Sequence, residues 1–160
     1  AEFASLASAS KSIWPHDASL AAAGLARYGR TEEAKRLTGA LLDAVERYDA
    51  RRLPELFAGF SRAETPYPVE YPTSNAPQAW ASGAMLLLST TMLGLEIDVP
   101  ERRIRVHPAL PSRVGWLRLA GLSVAGSEVE IKVRREAAGI AVDVRGAPPG
   151  FRVESPTGKE

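Results

Sequence analysis

The sequence predicts an α+β fold, with a helical first part (residues 1–95) followed by a small antiparallel β-sheet region (residues 96–160). Spacing carries the prediction. Before residue 95 apolar residues recur three and four apart; after it they alternate with charged ones. Size agrees: 160 residues, 45% hydrophobic and 24% charged, suit one ordinary domain or two small ones with a real core.

The first helix is expected to start at Pro15, whose fixed φ suits a first helical position, with Asp17 facing the positive end of the helix dipole. Gly29 is a natural left-handed stop. The second begins with Thr31 as cap and Glu32 and Glu33 in its first turn. Its stripe of Ala34, Leu37, Leu41, Val45 and Tyr48 backs onto a charged face, so it is a surface helix. The third is expected over Ala79 to Leu95, with Asn75 and Gln78 as a capping box. It carries no charge on any face, which predicts burial on all sides by neighbours this chain does not supply. Between the second and third helices, Asp49 to Ser74 form a loop rich in Pro and aromatics. Structureless loops longer than about 12–15 residues are uncommon, and those that occur are often functional.

Strands follow at Ile104-Val106, Trp116/Leu117-Leu119, Val129-Val133, Ile140-Val144 and Phe151-Val153. Turns are expected at Gly121, Ala125-Gly126-Ser127, Ala138-Gly139 and Ala147 to Gly150. Arg102, Arg103, Arg105, Arg118, Arg134 and Arg135 interleave with Glu128, Glu130, Glu136 and Asp143, which reads as a solvated sheet face.

Composition excludes several classes. A net charge of +1 argues against nucleic acid as a partner. No cysteine is present, so there are no disulfides or thiolate metal sites; with two histidines, neither a metal site nor a cofactor is expected. No apolar run approaches the roughly 20 residues that cross a bilayer, so no membrane partner is expected. Ala1-Glu2-Phe3 reads as a cloning scar, and the chain as a piece of something larger.

If the connections are simple, the first and third helices run parallel and start at one end of the bundle, to which the second returns. That brings three motifs to one rim: Trp14-Pro15-His16-Asp17, Arg52-Leu53-Pro54-Glu55-Leu56-Phe57 and Asn75-Ala76-Pro77-Gln78-Ala79-Trp80. The rim gathers two Trp, Phe57, Phe60, Tyr67, Tyr71, carboxylates and an amide. Rings take the apolar faces of sugars, while carboxylates and amides take their hydroxyls. Each motif has a plainer reading beside this one. Pro15 and Asp17 describe an ordinary helix start, Leu53-Pro54-Glu55 an ordinary turn, Gln78 a cap and Trp80 a core position. Glu55 stands out by its flanks, Leu53, Leu56 and Phe57, which would desolvate it.

Together with Leu93-Gly94-Leu95 and Ile104-Arg-Val-His-Pro-Ala-Leu-Pro111, these motifs resemble the C-terminal part of bacterial glycogen-debranching-like amylo-alpha-1,6-glucosidases, over roughly residues 12 to 135. The resemblance implies helical hairpins from the end of an (α/α)6 barrel, carrying a β-rich C-terminal extension. It implies a segment of a glycoside hydrolase acting on α-glucosidic bonds of glycogen-like or malto-oligosaccharide substrates, by an inverting two-carboxylate mechanism. Glu55 would be the general base, with the general acid on a part that precedes this chain. His16, Asp17 and Gln78 would hold sugar hydroxyls, and Trp14 and Trp80 would line the pocket. The expected partners are an α-glucan and the rest of the parent barrel or a second copy, in the cytoplasm. The alternative is a non-catalytic structural or carbohydrate-binding module, or an assembly module using its apolar helix.

Overall fold

The structure, a computed structural model, describes residues 12–156. The reading of Ala1-Glu2-Phe3 lies outside them. The chain divides into two compact units between Leu88 and Ser89.

In the first unit, strand β1 (Ser12–Ile13) runs straight into helix α1 (Pro15–Arg27). Trp14 at the junction is still extended, and its carbonyl accepts the first helical bond from Ala18 at 3.0 Å. The helix closes on Gly29 (φ 74): the Arg30 amide donates to Leu25 O and the Gly29 amide to Ala26 O, the paired bonds of a Schellman motif. Helix α2 (Thr31–Val45) ends before Tyr48, the last residue of the expected stripe, and Thr31 is its first helical residue and not a side-chain cap. Arg30 instead pairs with Glu33, and its guanidinium holds that carboxyl below the usual range. The stripe Ala34, Leu37, Leu41 and Val45 is buried. Ala18, Ala22, Leu37, Leu41 and Leu88 form one cluster; Ala44, Val45, Leu53, Phe57 and Ala81 form a second. Each buried leucine is worth about 1.5–3 kcal/mol, which outweighs the exposed ion pairs on the outer face of α2, screened as they are by water and salt.

Helix α3 (Ala79–Leu93) is not buried on all sides. Ala81, Ala84, Leu88 and Met92, spaced 3, 4 and 4, are buried, while Leu86 is 67% exposed and Trp80 42%. An uncharged helix needs only one buried face; the small residues Ser82 and Gly83 let the other meet water. The 46–78 segment is not structureless either. A tight turn at Asp49–Arg51, with Ala50 and Arg51 at positive φ, precedes strand β2 (Phe57–Ala58), which pairs antiparallel with β1.

In the second unit, Gly94 (φ 54) turns the chain into strand β3 (Leu95–Asp98), which pairs antiparallel with β4 (Arg103–Val106). On its other edge β4 takes β8 (Arg152–Glu154) in parallel register, so this sheet is mixed where an antiparallel one was expected. Strands β5 (Trp116–Val124), β6 (Ser127–Glu136) and β7 (Gly139–Arg145) form an antiparallel meander. Val129, Ile131 and Val133 alternate inward on β6 and are fully buried. Ala125 and Gly126, both at positive φ, make the two-residue β5–β6 hairpin. Gly121 is not a turn but a bulge inside β5: the register moves from Leu119–Ile131 to Leu122–Val129, leaving one extra residue where φ is 73.

The arginines of this unit behave as a solvated face. Arg105 bridges Glu96 on β3 (2.9 Å) and Glu154 on β8 (3.1 Å), and Arg118 reaches Glu130 across the β5–β6 pair at 2.6 Å. Arg135 does more, donating to the carbonyls of Leu110 (3.1 Å) and Pro111 (3.2 Å) and so tying that loop to β6.

The expected barrel hairpins are corrected. The described residues hold three helices and eight strands in three sheets, a small mixed α+β arrangement. Among the described residues, only α1 and α2 make a helical hairpin. Helix α3 has no helical partner following it, because Gly94 turns the chain at once into a strand.

Candidate functional site

All three motifs lie in the first unit; the third touches the other two, and the residues leading into the first pair with the end of the second. Antiparallel pairing of Ser12–Ile13 with Phe57–Ala58 joins the Trp14 lead-in to the strand that follows Glu55. Trp80 joins the first motif to the third: His16 stacks on its face (centroids 5.3 Å, planes 13° apart) and Trp14 meets it edge-on (5.4 Å, 81°). Trp80 occupies the second position of α3, so the start of that helix delivers the indole to the start of α1.

Glu55 joins the second motif to the third. Its Oε2 accepts from Asn75 Nδ2 at 2.9 Å and from the Asn75 amide at 3.2 Å, while the Glu55 amide donates to the Asn75 carbonyl at 2.9 Å. The flanking Leu53, Pro54 and Phe57 are buried, but Glu55 itself is half-exposed. The expected desolvation is incomplete because Glu55 and Leu56 are both only half-buried, between buried Leu53-Pro54 and buried Phe57.

Asn75 is therefore no helix cap. The helix starts at Ala79, whose amide donates to Gln78 Oε1 at 3.1 Å, and Ser82 donates its amide to the Gln78 carbonyl. Asp17 is exposed in the first turn of α1. The buried Ser19 donates its hydroxyl to the His16 carbonyl at 2.7 Å, which steadies the turn that presents His16. Sequence reasoning missed Asn75 as the partner of Glu55. No spacing rule links residues 20 apart across a loop; the bridge of Phe57 with Glu70 marks the chain reversal that brings them together.

Not every expected aromatic faces the rim. Phe57 is buried against Tyr48, with centroids 5.6 Å apart. Phe60, Tyr67 and Tyr71 are exposed, and Arg47 lies over the Tyr67 ring at 5.0 Å. The amide of Tyr71 donates to Leu56 O and that of Ala58 to Val69 O, so the Pro-rich loop runs back along the Glu55 segment.

Burial, and secondarily the charge of Glu70, pushes the Tyr48 hydroxyl up to about 12. A phenol whose folded value exceeds its unfolded value of about 10 contributes stability fully present below pH 10, which is lost as the pH rises from 10 to 12. An ultraviolet titration is expected to show a tyrosine step near pH 12, with stability falling across that window. The same late step missing from a Tyr48→Phe variant identifies the group; its survival refutes the assignment.

Among the described residues, no group of three or more His, Asp or Glu is placed to hold a metal ion, and no helix is long and apolar enough to cross a membrane. No protein-family model matches the chain, and no curated protein matches it.

Proposed function

We propose that this chain carries the substrate rim of a glycoside hydrolase acting on α-glucosidic bonds of glycogen-like or malto-oligosaccharide substrates in the cytoplasm. The observation that carries the reading is the convergence of the motifs, which sets an exposed indole with its stacked histidine on the same motif as Asn75, the partner of Glu55. An indole face offers the apolar surface of a glucose ring a platform, and His16, Asp17 and Glu55 offer groups for its hydroxyls. In an inverting mechanism the water oxygen forms the new bond to the anomeric carbon and passes a proton to the base, while an acid protonates the departing oxygen. Glu55 is the base in this reading. The acid is assigned to residues outside this chain, as the resemblance implies, and the rest of the parent protein is then the partner that completes the site.

The experiment is a titration of maltotriose followed by the indole N–H signals of the three tryptophans. Trp14 and Trp80 are expected to shift together while Trp116, on β5, stays still. Immobile signals from a folded protein would refute a sugar site at the rim. A second reading, carbohydrate binding without hydrolysis, draws support from the hydrogen bonds that occupy Glu55 Oε2 and Gln78 Oε1 within the protein. It predicts the same shifts with no turnover in the full-length protein.

A further inference from the structure

The bonds between Glu55 and Asn75 are asymmetric. Both Asn75 donors, the backbone amide and the side-chain amide, converge on Oε2. Among the described residues, Oε1 makes no hydrogen bond. The reciprocal bond from the Glu55 amide to the Asn75 carbonyl fixes the two backbones in register, so the side-chain contact is not left to a free loop. A glutamate has three side-chain torsions and, unheld, samples many orientations. A general base must be held to within a fraction of an ångström of its working geometry.

We propose that Asn75 is the positioning residue of Glu55: it fixes the carboxylate through Oε2 and presents Oε1 as the oxygen that takes the proton from the attacking water. The inference rests on reading Glu55 as the general base. In the step, one O–H bond of water breaks and its proton passes to Oε1, while a water lone pair forms the bond to the anomeric carbon. The glycosidic C–O bond breaks, and the departing oxygen takes its proton from the carboxylic acid on the other face of the sugar. Asn75 donates to the charged oxygen throughout and touches no reacting atom.

The test is a double-mutant cycle on kcat and KM in the full-length protein, with a malto-oligosaccharide carrying an α-1,6 branch as substrate. Asn75→Ala is expected to lower kcat by about 10- to 100-fold with KM within about twofold, and to have no further effect in a Glu55→Gln background. Asn75→Asp keeps the volume of the side chain but replaces its donor by a second carboxylate, and is expected to lose at least as much. Indole signals of Trp14 and Trp80 check that each variant is folded. Normal kcat in folded Asn75→Ala or Asn75→Asp overturns the proposal, as does an equal loss with and without Glu55, which would mark Asn75 as a loop-holding residue. Normal turnover by Glu55→Gln, or none by the wild-type protein, overturns the general-base reading itself and is distinct from failure at Asn75.

Discussion

Glu55→Gln is expected to lower kcat on α-glucosidic substrates by about 10³-fold while leaving the affinity for maltotriose, read at the Trp80 indole, within about twofold. The substitution keeps the shape of the side chain and an oxygen that can accept from Asn75, so the contact between the 55 and 75 segments survives. What disappears is the capacity to take a proton. Near-normal turnover by the variant would refute the assignment. A loss of binding as large as the loss of turnover would instead make Glu55 a sugar ligand, the role required of it in a non-catalytic module. Glu55→Asp separates the two further: it keeps the charge but withdraws it by one methylene, which harms a base held to a fixed distance far more than a ligand reached by a mobile sugar.

Gly94→Ala is expected to destabilise the second unit by about 3 kcal/mol or more, lowering its Tm by roughly 12–24 °C. Two causes act at once. The position has φ 54, where a side chain is strained, and an added Cβ would collide with the backbone carbonyl of His107. That carbonyl cannot simply step aside, because the His107 amide is bonded to Gly94 O at 3.2 Å and the Ala109 amide to Met92 O at 2.8 Å. Gly83 is the opposite case. It lies within α3 with nothing within 4 Å of an added Cβ, so Gly83→Ala is expected to gain about 0.5–1 kcal/mol. Thermal and urea melts of the two variants check both signs; equal stabilities would refute the strain argument at Gly94.

What was legible in the sequence was what repeats. The α2 stripe and the alternation along β6 are periodic, and each predicted its buried face. Gly29 stood where a helix needs a left-handed residue, and it ends α1 there. Short or unrepetitive features were not legible. Strands β1 and β2 have two residues each, too few for any period to register. Strand β3 follows α3 with only Gly94 between, so its apolar residues read as more helix. Strand β8 alternates, but alternation does not encode the direction of pairing. Gly121 supplies positive φ as a turn would, and a bulge needs the same thing. The barrel expectation came from motifs rather than from periodicity, and the chain after Gly94 does not follow it. At the rim, the meeting of the three motifs was foreseeable from helix direction, whereas the link from Glu55 to Asn75 depends on how the intervening loop folds back.

The parallel β4–β8 pairing bears on the order in which this protein is made. Arg103 on β4 pairs with Arg152, and the ion pair from Arg105 to Glu154 spans 49 residues. On the ribosome, β3 and β4 emerge close together and can zip at once, but the far edge of β4 must wait until the whole meander has been synthesised. An unpaired edge is an invitation to a neighbouring nascent chain. Here the waiting strand, Arg-Ile-Arg-Val, carries two guanidinium groups at alternate positions. Glu96 and Asp98 on β3 meet these groups from one side, but only β8 brings Arg105 a carboxylate on the open edge, Glu154, and a second copy of β4 has none to offer.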